Sequence, residues 1–95
     1  MQICWNEDKR QVVLKGRGID FADLESLLSL PYLEDQRRDE PEQYRIIGFT
    51  RGKLISFIVE YREEDLEEFI WVVTAWNSTT QEERAYEQEI GQWPR

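Results

Sequence analysis

The chain has no histidine and a single cysteine, Cys4, among 95 residues. These two shortages remove a large part of ordinary site chemistry. A Cys/His zinc site and a histidine-based catalytic triad are excluded, and one thiol cannot close an internal disulfide. No apolar run approaches membrane-spanning length, and the opening residues MQICWNEDKR lack the apolar stretch of a signal peptide, so the cytoplasm is the expected location. Cations are also scarce: 12 basic against 20 acidic side chains leave a formal charge of −8, which repels a phosphate backbone unless the positive charges share one face. There is no internal repeat and no low-complexity tract.

What is present is enough apolar surface for a packed core. Hydrophobic residues make up 40% of the chain and aromatics 13%, with four tryptophans, so one globular domain over residues 1–95 is expected rather than disorder. The charge is unevenly placed. Residues 1–17 set Lys9, Arg10, Lys15 and Arg17 against Glu7 and Asp8, whereas residues 60–68 set six acids against Arg62 alone. The acidic run reads as a solvated hairpin tip, with a docking surface for a basic partner as the alternative.

Periodicity and capping residues give an order of elements. Met1 to Trp5 reads as a short strand, with Cys4 as a buried apolar residue in it. Asn6 then caps a helix running to about Lys15, stopped by Gly16 and Gly18. Asp20 caps a second helix, with Phe21, Leu24, Leu27 and Leu28 at helical spacing, and Pro31 ends it. Glu34 to Pro41 contains no apolar residue and reads as an exposed loop, with room for a small extra strand near Tyr32-Leu33. Three strands follow, Gln43–Thr50, Lys53–Tyr61 and Phe69–Trp76, joined by short connections that make them antiparallel; Arg51-Gly52 is a two-residue turn. In the middle strand both alternating sets are apolar, as expected of a central strand covered on both faces. Thr79 to Tyr86 is a capped helix, in which Thr79 accepts from the backbone three residues on and Glu82 reaches back. The fold class is therefore α+β, a single domain of order β-α-α-β-β-β-α with a mostly antiparallel sheet packed by helices. The corner between the last strand and the last helix is the best place for a ligand.

An ordered set of landmarks resembles the BrnT-type toxins, small ribonucleases of type II toxin–antitoxin systems. These are Trp5-Asn6-x-x-Lys9, Leu14-Lys15-x-Arg17-Gly18-Ile19-Asp20-Phe21, Tyr44-Arg45-Ile46-Ile47-Gly48, Val73-Thr74-Ala75 and Thr79-x-x-Glu82-x-x-x-Tyr86, covering nearly the whole chain. The resemblance implies a RelE-like fold, RNA as substrate, cleavage without a metal or other cofactor, and a DNA-binding antitoxin as partner. The chain departs from the family pattern at Arg17, where a histidine is usual, and at Trp76, where an arginine is usual. Gln43 and Glu82-Glu83 stand where the family is more basic.

Metal-free RNA cleavage needs a group to take the 2′-OH proton, cations to offset charge growing on the phosphoryl oxygens, and an acid near the leaving oxygen. Arginine serves the second need but is a poor proton carrier. On this reading Lys9, Arg17 and Glu82 are the candidate catalytic residues, with Glu82 a base only if its pKa is raised. Arg10, Lys15, Arg37, Arg38, Arg45 and Trp76 are the candidate RNA-binding residues; no metal ligand is expected. Each has a structural alternative: a solvated helix face for Lys9, Arg10 and Lys15, local pairing for Arg37 and Arg38, the capping box for Glu82, and core positions for Trp5, Trp71 and Tyr86. Two functions follow, an RNA-cleaving toxin covered by its antitoxin, or a non-catalytic relative acting as an interaction module or homodimer.

Overall fold

Asn6 turns the first strand, β1 (Gln2–Trp5), into α1 (Glu7–Arg17): its side chain accepts from the Lys9 backbone N–H at 3.0 Å. A computed structural model describes residues 1–91 of the chain. The helix continues two residues beyond the expected stop and ends at Gly18, whose φ of 70° is the left-handed conformation that suits glycine. Asp20 then accepts from the Ala22 N–H, but the expected second helix is divided into a 3₁₀ turn, Phe21–Asp23, and a single α turn, α2 (Leu24–Leu27). Phe21, Leu24 and Leu27 are wholly buried, so the apolar spacing located the contact face while the backbone took a tighter path.

Four strands follow: β2 (Leu33–Asp39), β3 (Glu42–Thr50), β4 (Lys53–Glu64) and β5 (Glu67–Asn77), and α3 (Thr80–Ile90) closes the described chain. The stretch Glu34–Pro41, expected as a loop, is corrected: most of it is β2, paired antiparallel to β3. Its charged side chains do not oppose a strand here because β2 is the outer strand of the sheet. An edge strand needs a backbone partner on one side only, and charge on it discourages pairing with other chains.

The sheet order is β1-β5-β4-β3-β2. β2 to β5 form an antiparallel meander, and β1 joins β5 in parallel, with Gln2 opposite Phe69. β4 lies at the centre, and Leu54 to Val59 are all buried, as its double apolar pattern requires. The turn at Arg51-Gly52 has both residues at positive φ, which fits the twist of the flanking strands. A second turn of the same kind at Asp65-Leu66 leaves Leu66 at the exposed tip of the acidic hairpin.

Helices cover both faces of the sheet in part. On one face α1, the 3₁₀ turn and α2 pack over Ile46, Ile55, Phe57, Val59, Ile70, Val72 and Ala75. On the other, Tyr86 of α3 packs with Ile47, Phe49 and Leu54, and its hydroxyl donates to the Pro31 carbonyl at 3.0 Å. β1 ends at Trp5, opposite Val72, so among the described residues no strand pairs with the outer edge of β5 from Val73 onward. A bulge at Val73, between the pairs Ile58–Thr74 and Val59–Val72, bends β5 where that free edge begins.

Candidate functional site

At the end of β5 the chain passes through Asn77 and Ser78 into α3, and the corner is fixed by one carboxylate. The Glu82 Oε1 accepts from the Thr79 backbone N–H at 2.8 Å and from the Trp76 indole Nε1 at 2.9 Å. The Thr79 hydroxyl accepts in return from the Glu82 N–H, which completes a reciprocal helix cap. The other oxygen of Glu82 faces Arg45 of β3 at 3.4 Å, and the side chain is only 5% exposed. Arg45 is held from its far side by Asp35 of β2, at 3.0 Å through Nε and 2.5 Å through a terminal nitrogen. This pairing, with Glu82 adding to it, raises the guanidinium pKa further above its ordinary value.

Trp76 is also covered from above. β2 carries a bulge at Arg37, since Gln36 pairs with Tyr44 and Arg38 with Gln43. The extra residue is redirected over the sheet, and its guanidinium lies 4.9 Å from the centre of the Trp76 ring. Arg45, Trp76, Thr79, Gln81, Glu82 and Ala85 line an open cleft of about 370 Å³. The corner thus combines a stacked indole and guanidinium with an Asp35–Arg45–Glu82 relay. The charges of Arg37 and Arg45 are matched by those of Asp35 and Glu82, so the corner has an aromatic platform but no excess of positive charge.

The expected RNA-binding and catalytic residues divide between the two sides of the sheet. Arg37, Arg45, Trp76 and Glu82 come together at the corner, and Arg38 is exposed beside them on β2. Lys9, Arg10 and Lys15 lie on α1, which packs on the opposite face. Arg10 is fully engaged. It donates to both oxygens of Asp20 at 2.8 and 2.9 Å, reaches Glu7 at 2.8 Å and lies 5.8 Å from the Trp5 ring centre. The pairing raises the pKa of Arg10 and lowers that of Asp20, with their mutual hydrogen bonds as the main cause for both. Lys9 and Lys15 are exposed, and neither side chain has an ion pair among the described residues. Arg17 stands between the groups. It reaches the free edge of β5, donating to the Ala75 carbonyl at 2.7 Å and to the Thr74 hydroxyl at 3.4 Å.

Three features of the site went beyond the sequence reading. Asp35 was hidden inside a supposed loop; period-two reading from Leu33 would have placed it on the face that carries Arg45. Arg62 lies 4.5 Å from the Trp71 ring centre and pairs with Glu60 at 2.6 Å, and Glu60 also accepts from Gln43 at 2.8 Å. The Gln43 bond, then the Arg62 bond, hold the Glu60 pKa below the ordinary carboxylate value. Cys4, expected in the interior, is only half-buried beside Trp71 in the parallel β1–β5 pair.

Among the described residues no group of three or more His, Cys, Asp or Glu side chains is placed to hold a metal ion, and no helix is long and apolar enough to cross a membrane. No protein-family model matches the chain, and no curated protein matches it. Among solved structures it is similar to the 1.1 Å crystal structure of the Brucella abortus ribonuclease toxin BrnT, with a TM-score of 0.58 and 28% identity. The match covers 84% of this chain and 99% of that one, so the α+β fold described above is BrnT-like.

Proposed function

We propose that this chain is the toxin of a type II toxin–antitoxin pair and that it cleaves RNA without a metal. The observation that carries this reading is the likeness to a ribonuclease toxin over 99% of that toxin's length. In the proposed complex an unstacked base lies on Trp76, with Arg37 as the second wall of the platform, because an indole face and a guanidinium plane both stack on any base. Arg17, at the β5 edge beside Ala75, and the exposed Arg38 supply positive charge to the phosphate. Lys9 and Lys15 extend that charge along α1. Glu82 acts in this scheme as a positioning residue that fixes Trp76 and Arg45. For Glu82 to take a proton, substrate would have to displace the bonds its two oxygens now accept. A DNA-binding antitoxin would cover the same corner, and the pair would act in the cytoplasm.

A second reading has its own support. Arg10 and Arg45 are matched by carboxylates, and Arg37 and Arg62 lie over rings. That arrangement suits a non-catalytic relative that binds a protein or a second copy of itself.

The experiment is controlled expression in a bacterial host, with growth and RNA integrity followed together for the native chain, Arg17→Ala, Arg37→Ala and Trp76→Arg. A ribonuclease toxin arrests growth and degrades RNA. Arg17→Ala and Arg37→Ala should each relieve this by roughly tenfold or more, the scale of one lost charge-stabilising contact, while thermal unfolding shows the variants folded. Trp76→Arg should lower cleavage, since it removes the ring on which the base lies and sets a second guanidinium beside Arg37. Normal growth and intact RNA at high soluble expression would reject catalysis in favour of the interaction module.

A further inference from the structure

The tryptophans of β1 and β5 each have an arginine at the ring: Arg10 at Trp5, Arg62 at Trp71 and Arg37 at Trp76. A second aromatic group has none. Tyr44 of β3 and Tyr61 of β4 lie on the face that carries α1 and α2, beyond the end of α2, with ring centres 5.3 Å apart and planes tilted by 59°. Tyr32, just before β2, is also exposed, and its Cβ packs beside Gly48 of β3. The Tyr44 hydroxyl donates to Glu42 and the Tyr61 hydroxyl to Glu34 at 2.7 Å, so each carboxylate is held at the rim of a ring. Further along the same face Glu63 and Glu68 oppose each other across β4 and β5, and both line a hollow of about 220 Å³ with Met1, Tyr61, Phe69 and Arg62, the last of which is already paired with Glu60. Among the described residues no lysine or arginine side chain is paired with Tyr32, Tyr44, Tyr61, Glu34, Glu42, Glu63 or Glu68.

We infer that this half of the sheet face is a docking surface for an arginine- and lysine-rich segment of a partner protein, whose cations lie on Tyr44 and Tyr61 and pair with the surrounding carboxylates. Charge complementarity identifies the occupant. The patch carries four acids, two of them from the hairpin of residues 60–68, which is net −5 by sequence, and the whole chain is −8. Nucleic acid is repelled from such a surface, and a second copy would bring the same sign of charge. Tyrosine suits the task because its ring is rigid and its face attracts a cation, while the carboxylate at its hydroxyl fixes the orientation of the ring. This surface lies on the opposite side of the sheet from the Trp76 corner, so a partner could occupy one while the other stays open.

The test uses a fluorescein-labelled nona-arginine peptide and the full chain, with fluorescence anisotropy at moderate salt. Any acidic protein attracts this probe, so the comparison is between variants. Tyr44→Leu/Tyr61→Leu preserves charge and should weaken binding about tenfold, the scale of two cation–π contacts at an exposed site. Tyr44→Phe/Tyr61→Phe preserves the rings and should retain most of the affinity. Glu34→Gln/Glu42→Gln should weaken binding more than Glu87→Gln/Glu89→Gln, an equal charge change on α3. Equal effects from the two glutamine pairs, or no effect of the leucine pair in a folded protein, would overturn the assignment and leave only general attraction between opposite charges. Displacement of the peptide by single-stranded RNA from the native chain, but not from Arg37→Ala, would place the probe at the Trp76 corner and also overturn it.

Discussion

At the residue scale, the side chains that fix the helix ends act over three positions, whereas the ion pair of Arg10 with Asp20 spans ten. Asn6 and the Thr79–Glu82 box are local, and the structure bonds them as the sequence expects. The partner of Arg10 could not be read in the same way. Glu7 or Asp8 is the local match that helical spacing offers, and Glu7 is bonded, but the pair that joins two segments is with Asp20, which the Gly18 reversal brings back beside α1. Asp20 has its pKa lowered in the folded protein, so its stabilising effect is present above the ordinary value of 3.8 and is lost as pH falls through and below it. Acid titration of thermal stability should therefore show a decline below about pH 4. Asp20→Asn should lower Tm by a few degrees at neutral pH and flatten that decline; an unchanged acid limb would assign the pair no role in stability.

Elements were most legible where they are buried. β4 carries apolar residues on both faces and was placed correctly at the centre, whereas β2 showed only as a small strand near Tyr32-Leu33 because the rest of an edge strand has no core pattern to display. Packing between elements depends on a single glycine. A Cβ added at Gly48 of β3 would lie 2.7 Å from the Leu27 Cδ2 and 2.9 Å from its Cγ, so α2 can rest on the sheet only where that side chain is absent. Gly48→Ala should cost ~1–3 kcal/mol in urea unfolding through overpacking, and Leu27→Ala in the same chain should recover part of that loss. The acidic hairpin makes the opposite kind of prediction. Glu63 faces Glu68, and Glu64 faces Glu67, directly across β4 and β5. Like charges in register oppose folding, so Glu68→Lys should stabilise the domain by ~0.2–1 kcal/mol; no gain would mean that solvent already screens the pair.

For the whole molecule, the class and the antiparallel meander were legible, because three strong apolar runs with short connections leave little choice. The parallel pairing of β1 with β5 was not, since nothing local in Met1 to Trp5 names a partner near Phe69. The division of the basic residues between the two sides of the sheet follows from the same topology: β5 separates α1 from the Trp76 corner. Charge also acts on the molecule as a whole. Six ion pairs join described side chains and most are partly exposed, so each contributes little, while the excess of eight negative charges is felt throughout. Raising NaCl from about 0.01 M to about 1 M shortens the screening length from about 30 Å to about 3 Å and should raise Tm. A fall instead would show that the ion pairs outweigh the repulsion.

The short β1 strand also bears on the order of events during synthesis. Residues Gln2 to Trp5 pair with residues 69–72, which are made much later. Until then Ile3 and Trp5 have no sheet to join, and the core beneath α1 lacks the strand it rests against. The meander can form early from neighbouring strands, but the sheet is complete only when β1 meets β5. Closure of the sheet is thereby tied to synthesis of β5, and a chain ended before it leaves β1 unpaired.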